Sequence, residues 1–262
     1  MANKELLEHN REAWNILVKA ANRWTIARGH EEILAARNGK LDLYLTPTKF
    51  VPQEWLGDVK GKKVLCLASG GGQQGPLLAA AGADVTAFDL SDLQLAQDRL
   101  VAEREGLNIR TVQGNMQDLS VFEDESFDLV FNPASVVFVD DVLPVWKECS
   151  RVLKKGGRLL TGFTNPLYYL FDSTDPEKPV KLEVVNKIPY SDSKSLSKED
   201  IERFKPAGYP LEHSHTLDDL IGGQIAAGLL IAGFFEDNWT ESGHPLEDYI
   251  NCFIATMAIK SS

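Results

Sequence analysis

Apolar positions recur along this chain in two ways, at helical spacing and in short continuous runs, and the changes between them mark its elements. Leu6, Leu7, Trp14, Leu17 and Val18 stand at helical spacing and predict an amphipathic helix over 4–22. A second short helix is expected over 29–37, stopping near Asn38-Gly39, and Thr46-Pro47 to Trp55-Leu56-Gly57 reads as a connector. From residue 63 short apolar runs take turns with longer helical stretches. Strands are predicted at 63–68, 84–88, 108–112, 127–131 and 157–163, and helices at 73–81, 91–105 and 140–153. Such alternation buries a mostly parallel sheet under helices on both faces, a doubly wound α/β fold. The pattern breaks at Asn165. Residues 165–210 are rich in Asp, Ser, Lys and Pro, and so long a stretch without a predicted helix reads as a functional lid or a disordered loop. A helix over about 216–231, ending near Gly233, and strands over 234–239 and 253–259 close the chain.

The first strand-to-helix turn adds chemistry to this pattern. Lys63-Val64-Leu65-Cys66-Leu67 opens into Ala68-Ser69-Gly70-Gly71-Gly72-Gln73-Gln74-Gly75, and the next strand ends on Asp89. A glycine turn lets a ligand approach backbone N–H groups at a helix N-terminus, and an acid at the end of the second strand accepts bonds from ribose hydroxyls. A nucleoside cofactor is therefore expected. Gly70, Gly72 and Gly75 spell G-x-G-x-x-G with Asp89 at dinucleotide spacing, which alone would suit NAD. Val64 to Gly72 also aligns with the V-L-D-L-G-C-G-T-G turn of class I S-adenosylmethionine-dependent methyltransferases.

Later residues favour the second reading. Gln113-Gly114-Asn115-Met116-Gln117-Asp118-Leu119 stands where those enzymes carry G-D-x-x-x-L after strand three. Glu125-Ser126-Phe127-Asp128-Leu129-Val130-Phe131 is similar to their S-F-D-x-V strand four. Arg151-Val152-Leu153-Lys154-Lys155-Gly156-Gly157 resembles their R-V-L-K-P-G-G turn, and Ala232-Gly233-Phe234 and Phe253-Ile254-Ala255-Thr256 resemble the strand pair that ends the fold. Over roughly 63–163 and 213–260 the chain resembles a class I methyltransferase of the type 11, UbiE-like group. No Tyr-x-x-x-Lys hydride-transfer constellation stands at a strand end, which leaves an NAD-dependent oxidoreductase a distant third.

The resemblance implies a Rossmann-like sheet of seven strands, the seventh antiparallel, in one domain. Its parts are a helical cap over 1–60, a cofactor-binding half over 61–164, a lid over 165–215 that builds the acceptor pocket, and a C-terminal helix and strand pair over 216–262. It further implies that Ala68, Ser69, Gly70 and Gly72 wrap the methionine part of S-adenosylmethionine, with Gln73 and Gln74 beside them. Asp89 would accept the ribose hydroxyls, Leu90 and Met116 would pack on adenine, and Asn115 would bond its amine. Asn132 and Pro133 would line the methyl-donor end, and S-adenosylhomocysteine would be the product. Two residues depart from the pattern: Cys66 stands where most relatives carry an acid, and Ala68 where they carry a glycine. A protein that binds the cofactor without turnover is accordingly the alternative to a small-molecule methyltransferase.

Composition narrows the partners. With 27 Lys and Arg against 38 Asp and Glu, the 262-residue chain carries a formal charge of −11, so nucleic acid is not an expected partner. No run reaches membrane-spanning length. Cys66, Cys149 and Cys252 lie far apart without metal spacing and read as reduced residues of a cytoplasmic protein. Methyl transfer from a sulfonium needs mainly alignment and exclusion of water, with a base only where the acceptor must lose a proton. His213 and His215, where the lid returns to the sheet, are the candidate bases, with a capping or loop-fastening role the alternative. Trp14, Trp24, Tyr168 and Tyr169 are candidates to close over the acceptor.

Overall fold

The computed structural model describes residues 3–171, 180–239 and 244–261. Seven strands form one sheet: β1 (Lys63–Leu67), β2 (Asp84–Asp89), β3 (Ile109–Gln113), β4 (Phe127–Asn132), β5 (Leu153–Thr164), β6 (Leu229–Asp237) and β7 (Phe253–Lys260). Their order is β3-β2-β1-β4-β5-β7-β6. The first five are parallel, while β7 runs antiparallel between β5 and β6. This is the expected Rossmann-like sheet. Helices α1 (Asn3–Lys19), α2 (His30–Arg37), α3 (Gln53–Leu56), α4 (Gln74–Ala80), α5 (Asp92–Glu105), α6 (Leu143–Val152), α7 (Asp192–Ser195), α8 (Lys198–Phe204) and α9 (Gly223–Ala226) complete it.

Alternation along the strands divides the core into two faces. Leu65 and Leu67 of β1, Leu159 and Phe163 of β5 and Ile254 of β7 join Trp146 and Cys149 of α6 on one face. Val64, Cys66, Leu129, Phe131, Leu160 and Ala255 join Ile33 of α2 and Leu77 and Leu78 of α4 on the other. All three cysteines are buried and unpaired. The parallel arrangement places the carboxyl ends of β1, β2, β4 and β5 along one edge, where an open α/β sheet binds ligands.

Three expectations change. The helix expected over 216–231 is a single π turn, Asp218–Gly222, followed by α9, and the chain is already in β6 at Leu229. Gly228, at φ +85°, makes the reversal. An apolar run on an edge strand, with Leu230 and Phe234 exposed, imitates a helix when read without its neighbours. Gly223 permits close packing there, since a Cβ on it would stand 2.7 Å from Leu143 Cδ2 and 2.8 Å from Trp146 Cδ1. Among the described residues of the expected lid, two short helices stand where none was predicted, α7 and α8. Third, α6 stops at Val152 and β5 begins at Leu153, four residues before the strand start at 157.

The N-terminal helix ties distant segments together. The Asn10 side chain donates to the Phe138 and Leu211 carbonyls, both at 3.1 Å, and accepts from the Leu211 N–H at 2.8 Å. One turn further on, Asn15 donates to Asp92 Oδ1 at 2.9 Å and accepts from the Ser91 hydroxyl at 2.6 Å. One helix thus fastens the start of α5 to the returning lid.

Candidate active site

The glycine turn is built for close approach. Ala68 leaves β1 at φ +46°, in the left-handed region that disfavours any residue with a Cβ. Its N–H donates to the Phe88 carbonyl at 2.7 Å. A Cβ on Gly70 would lie 2.7 Å from Gln94 Cβ and 3.0 Å from Asp89 Oδ2, so that position has no space for a side chain. Gly70 N–H donates to Asp89 Oδ2 and Ser91 N–H to Asp89 Oδ1, both at 2.9 Å. These two bonds aim the carboxyl into the space above the sheet. Burial raises Asp89 to about 6, against the opposing pull of the Ser91 and Gly70 amides.

That space is a cavity of about 560 Å³ over the carboxyl ends of the strands. Of the anticipated cofactor residues, Ala68, Ser69, Gly70, Gln73, Gln74, Asp89, Leu90, Asn115, Met116 and Pro133 line it. So do the four aromatic candidates Trp14, Trp24, Tyr168 and Tyr169. Gln73 Nε2 also donates to the Arg23 and Ile26 carbonyls, both at 3.1 Å, drawing the N-terminal cap onto the turn. Asn115 forms a local turn, its Oδ1 accepting from the Gln117 N–H at 3.1 Å. Two polar atoms of the wall, Ser69 Oγ and Gln94 Oε1, are buried without a partner. Unsatisfied groups beside a glycine turn and an aimed carboxyl fit a polar cofactor lying along the turn.

Four anticipated residues are not in the wall. Gly72 sits behind it, with its carbonyl accepting from the Arg28 N–H at 2.9 Å. Asn132 is fully buried and joins three strand ends: it donates to the Leu67 carbonyl at 2.9 Å and to Ser135 Oγ at 2.8 Å, and accepts from Thr161 Oγ1 at 2.8 Å. The two histidines also turn away. His215 Nε2 pairs with the Val136 carbonyl at 3.0 Å, and His213 Nδ1 with Ser191 Oγ at 2.9 Å. His213 Nε2 is enclosed by protein without a partner. Burial lowers His213 to about 4 and His215 below the ordinary range. The reason is backbone geometry: Ser191 and His213 pair as an isolated antiparallel bridge, and in extended chain successive side chains point to opposite sides.

The residue that precedes His213, Glu212, faces the cavity instead. Its Oε2 accepts from the Tyr169 hydroxyl at 2.7 Å, and its N–H donates to Asp192 Oδ2 at 2.8 Å. Burial raises Glu212 to about 7; the Tyr169 bond opposes the shift and the neighbouring Asp192 adds to it. Burial raises Asp192 too, against donors that include the Tyr190 hydroxyl at 2.8 Å. Sequence reading also passed over Phe138 and Tyr209 of the wall. The usable signal for Glu212 was its place beside His213 in an extended stretch, where only one neighbour of the pair can face inward.

Residues 65–161 match the Methyltransferase domain family. The chain is 50% identical over 255 residues to the uncharacterized methyltransferase YbaJ of Bacillus subtilis, covering 97% of this chain and 98% of that protein. The chain belongs to the class I S-adenosylmethionine-dependent methyltransferases. Among solved structures, an S-adenosylmethionine-dependent methyltransferase from Mesorhizobium loti superposes with a TM-score of 0.60 at 18% identity, over 79% of this chain and 94% of that one. The 1,6-didemethyltoxoflavin-N1-methyltransferase of Burkholderia thailandensis, solved with its substrate and S-adenosylhomocysteine, superposes at 0.58 with 16% identity, over 100% of this chain and 92% of that one. These two distant likenesses concern the fold. Among the described residues, no helix of this methyltransferase is long and apolar enough to cross a membrane.

Proposed function

We propose that the cavity holds S-adenosylmethionine along the glycine turn and a small-molecule acceptor in its other half, beneath α1 and the lid. The bound cofactor supplies a methyl group on a sulfonium, an electrophile that already carries an excellent leaving group. Asp89 accepts the ribose hydroxyls, Leu90 and Met116 flank the adenine, and Asn115 meets its amine. Ser69, with its free hydroxyl, and Gln73 and Gln74 hold the amino-acid end. Pro133 stands on the acceptor side. Trp14, Tyr168 and Tyr169 exclude water and align the acceptor, the main contribution a protein makes to this displacement.

The observation that carries this reading is the continuity of the cavity from Asp89 to Glu212. The net charge of −11 speaks for a small molecule rather than nucleic acid, and three buried, unpaired cysteines suit a reducing cytoplasm. Calorimetry with S-adenosylmethionine, S-adenosylhomocysteine and NAD tests the cofactor assignment. We expect binding of the first two only; NAD binding with no response to the sulfur compounds refutes it. Binding without turnover is the second reading. It is favoured by Cys66, which lies fully buried under the turn where the family carries an acid. Methyl-labelled cofactor incubated with a metabolite extract separates the two, since only an enzyme moves the label.

A further inference from the structure

The half of the cavity beyond the glycine turn combines one carboxyl with many rings. Glu212 is held there by Tyr169 at 2.7 Å, among Trp14, Phe138, Tyr168 and Tyr209. Among the described residues, none of those lining the cavity is Lys, Arg or His. Two rings of the same wall already hold a cation: the Arg23 guanidinium lies 4.3 Å from the Trp24 centroid and 4.9 Å from that of Trp239. A carboxylate among aromatic faces attracts an organic cation and repels an anion. An anionic acceptor would enter beside two carboxyls, Asp89 and Glu212, with no basic partner among the described residues of the wall.

We propose that the acceptor is a small amine, bound as its ammonium ion between Glu212 and the aromatic wall, and that Glu212 takes the proton the nitrogen must lose. This rests on the methyltransferase reading of the same cavity. An ammonium nitrogen has no free electron pair. Passing its proton to the Glu212 carboxylate frees the pair, which forms the new N–C bond while the methyl–sulfur bond breaks and leaves its electrons on sulfur. The product is again a cation, the methylated ammonium, and Glu212 releases its proton to solvent. Burial holds Glu212 near about 7, opposed by Tyr169 and supported by Asp192, which suits a group that both receives and releases a proton at neutral pH. Tyr209 also senses Glu212, and His9 acts on Asp192 from α1.

Calorimetry on protein saturated with S-adenosylhomocysteine tests this with three probes of similar shape: benzylamine, benzyl alcohol and benzoate. Benzylamine should bind about 10- to 100-fold more tightly than the alcohol, the value of a charge-assisted bond, and benzoate should give no heat at millimolar concentration. Glu212→Gln should erase the preference for the amine while S-adenosylhomocysteine affinity stays unchanged. Tyr169→Phe keeps the carboxyl, so the preference should persist while its pH midpoint moves upward, because a bond that lowers the Glu212 pKa is lost. Failure of S-adenosylhomocysteine to bind would count against the cofactor reading. With that ligand bound, equal affinity for the three probes, preference for benzoate, no benzylamine binding, or an unaltered amine preference in Glu212→Gln each overturns the acceptor assignment alone.

Discussion

Asp89 and Glu212 are both carboxyls in the wall of one cavity, and burial raises both, yet different parts of the chain hold them. Asp89 is fixed by backbone N–H groups of Ser91, two residues away, and of Gly70, at the end of the neighbouring strand. Its position follows from one βαβ unit. Glu212 is fixed by a tyrosine 43 residues away and by Asp192, 20 residues away, and the preceding Leu211 is pinned by an asparagine 201 residues from it on α1. The Asp89 side of the cavity is thus a local structure inside a parallel sheet, and the Glu212 side is an assembly of remote segments. Such assemblies can be changed segment by segment without disturbing the sheet. One fold can therefore keep its cofactor while its acceptor varies.

Exchanging single groups in each half sharpens this division. The largest effect should come from Glu212→Gln. With the physiological acceptor, turnover should fall by about 10²–10⁴-fold, and the rise of activity with pH through about 7 should disappear. A pH–rate profile on both proteins reads this; an unchanged profile would leave alignment as the whole mechanism. Asp89→Ala should weaken S-adenosylhomocysteine by about one to two powers of ten, the value of roughly 1.5–3 kcal/mol in bonds to a charged acceptor. Because Asp89 also satisfies two backbone amides, its melting temperature should fall as well, unlike that of a variant losing ligand contacts alone. Calorimetry paired with a melting curve measures both. His213→Ala and His215→Ala should lower the melting temperature and leave turnover by the folded enzyme near the wild-type value, since neither imidazole lines the cavity.

Proton linkage should give a smaller effect. The fold raises Asp89 to about 6 and Glu212 to about 7, so it favours their protonated forms. The stability this contributes is complete below the unfolded carboxyl values, near pH 4, and is lost as pH rises through about 6 and 7. His213 and His215, lowered by burial, act in the opposite sense, their stability being present above the unfolded value of 6.5 and lost as pH falls. The carboxyl contribution is therefore read as a difference between proteins: Glu212→Gln, which cannot titrate there, should gain a few degrees of melting temperature relative to wild type between pH 5.5 and pH 8 (about 2–4 °C per kcal/mol in a chain of this size). A difference between the two proteins that does not change with pH would count against the raised Glu212 value. The smallest effect is Ala68→Gly. Removing a Cβ from φ +46° should stabilise by about 1 kcal/mol, net of the flexibility glycine adds to the unfolded chain. Equilibrium denaturation checks it.

The sequence by itself determined the sheet, the turn and the class of cofactor. Short apolar runs mark β1, β4 and β5 as buried strands, and Ala68 to Gln74 with Asp89 mark the turn and the strand end that line the cavity. These signals are legible because the interactions behind them span few residues. Only the tertiary structure decided the rest. It moved Asn132 from the cavity to a junction of three strands, turned an apparent helix over 229–231 into an edge strand, and exchanged two histidines for the glutamate beside them. Each outcome depends on partners far away in the chain. An apolar run has no period of its own until its neighbours cover one side, and two adjacent side chains in extended backbone face opposite ways. Which of them meets the cavity was settled by the Ser191–His213 bridge and by the bonds from Asn10 on α1 to Leu211, contacts that no local pattern in the sequence records.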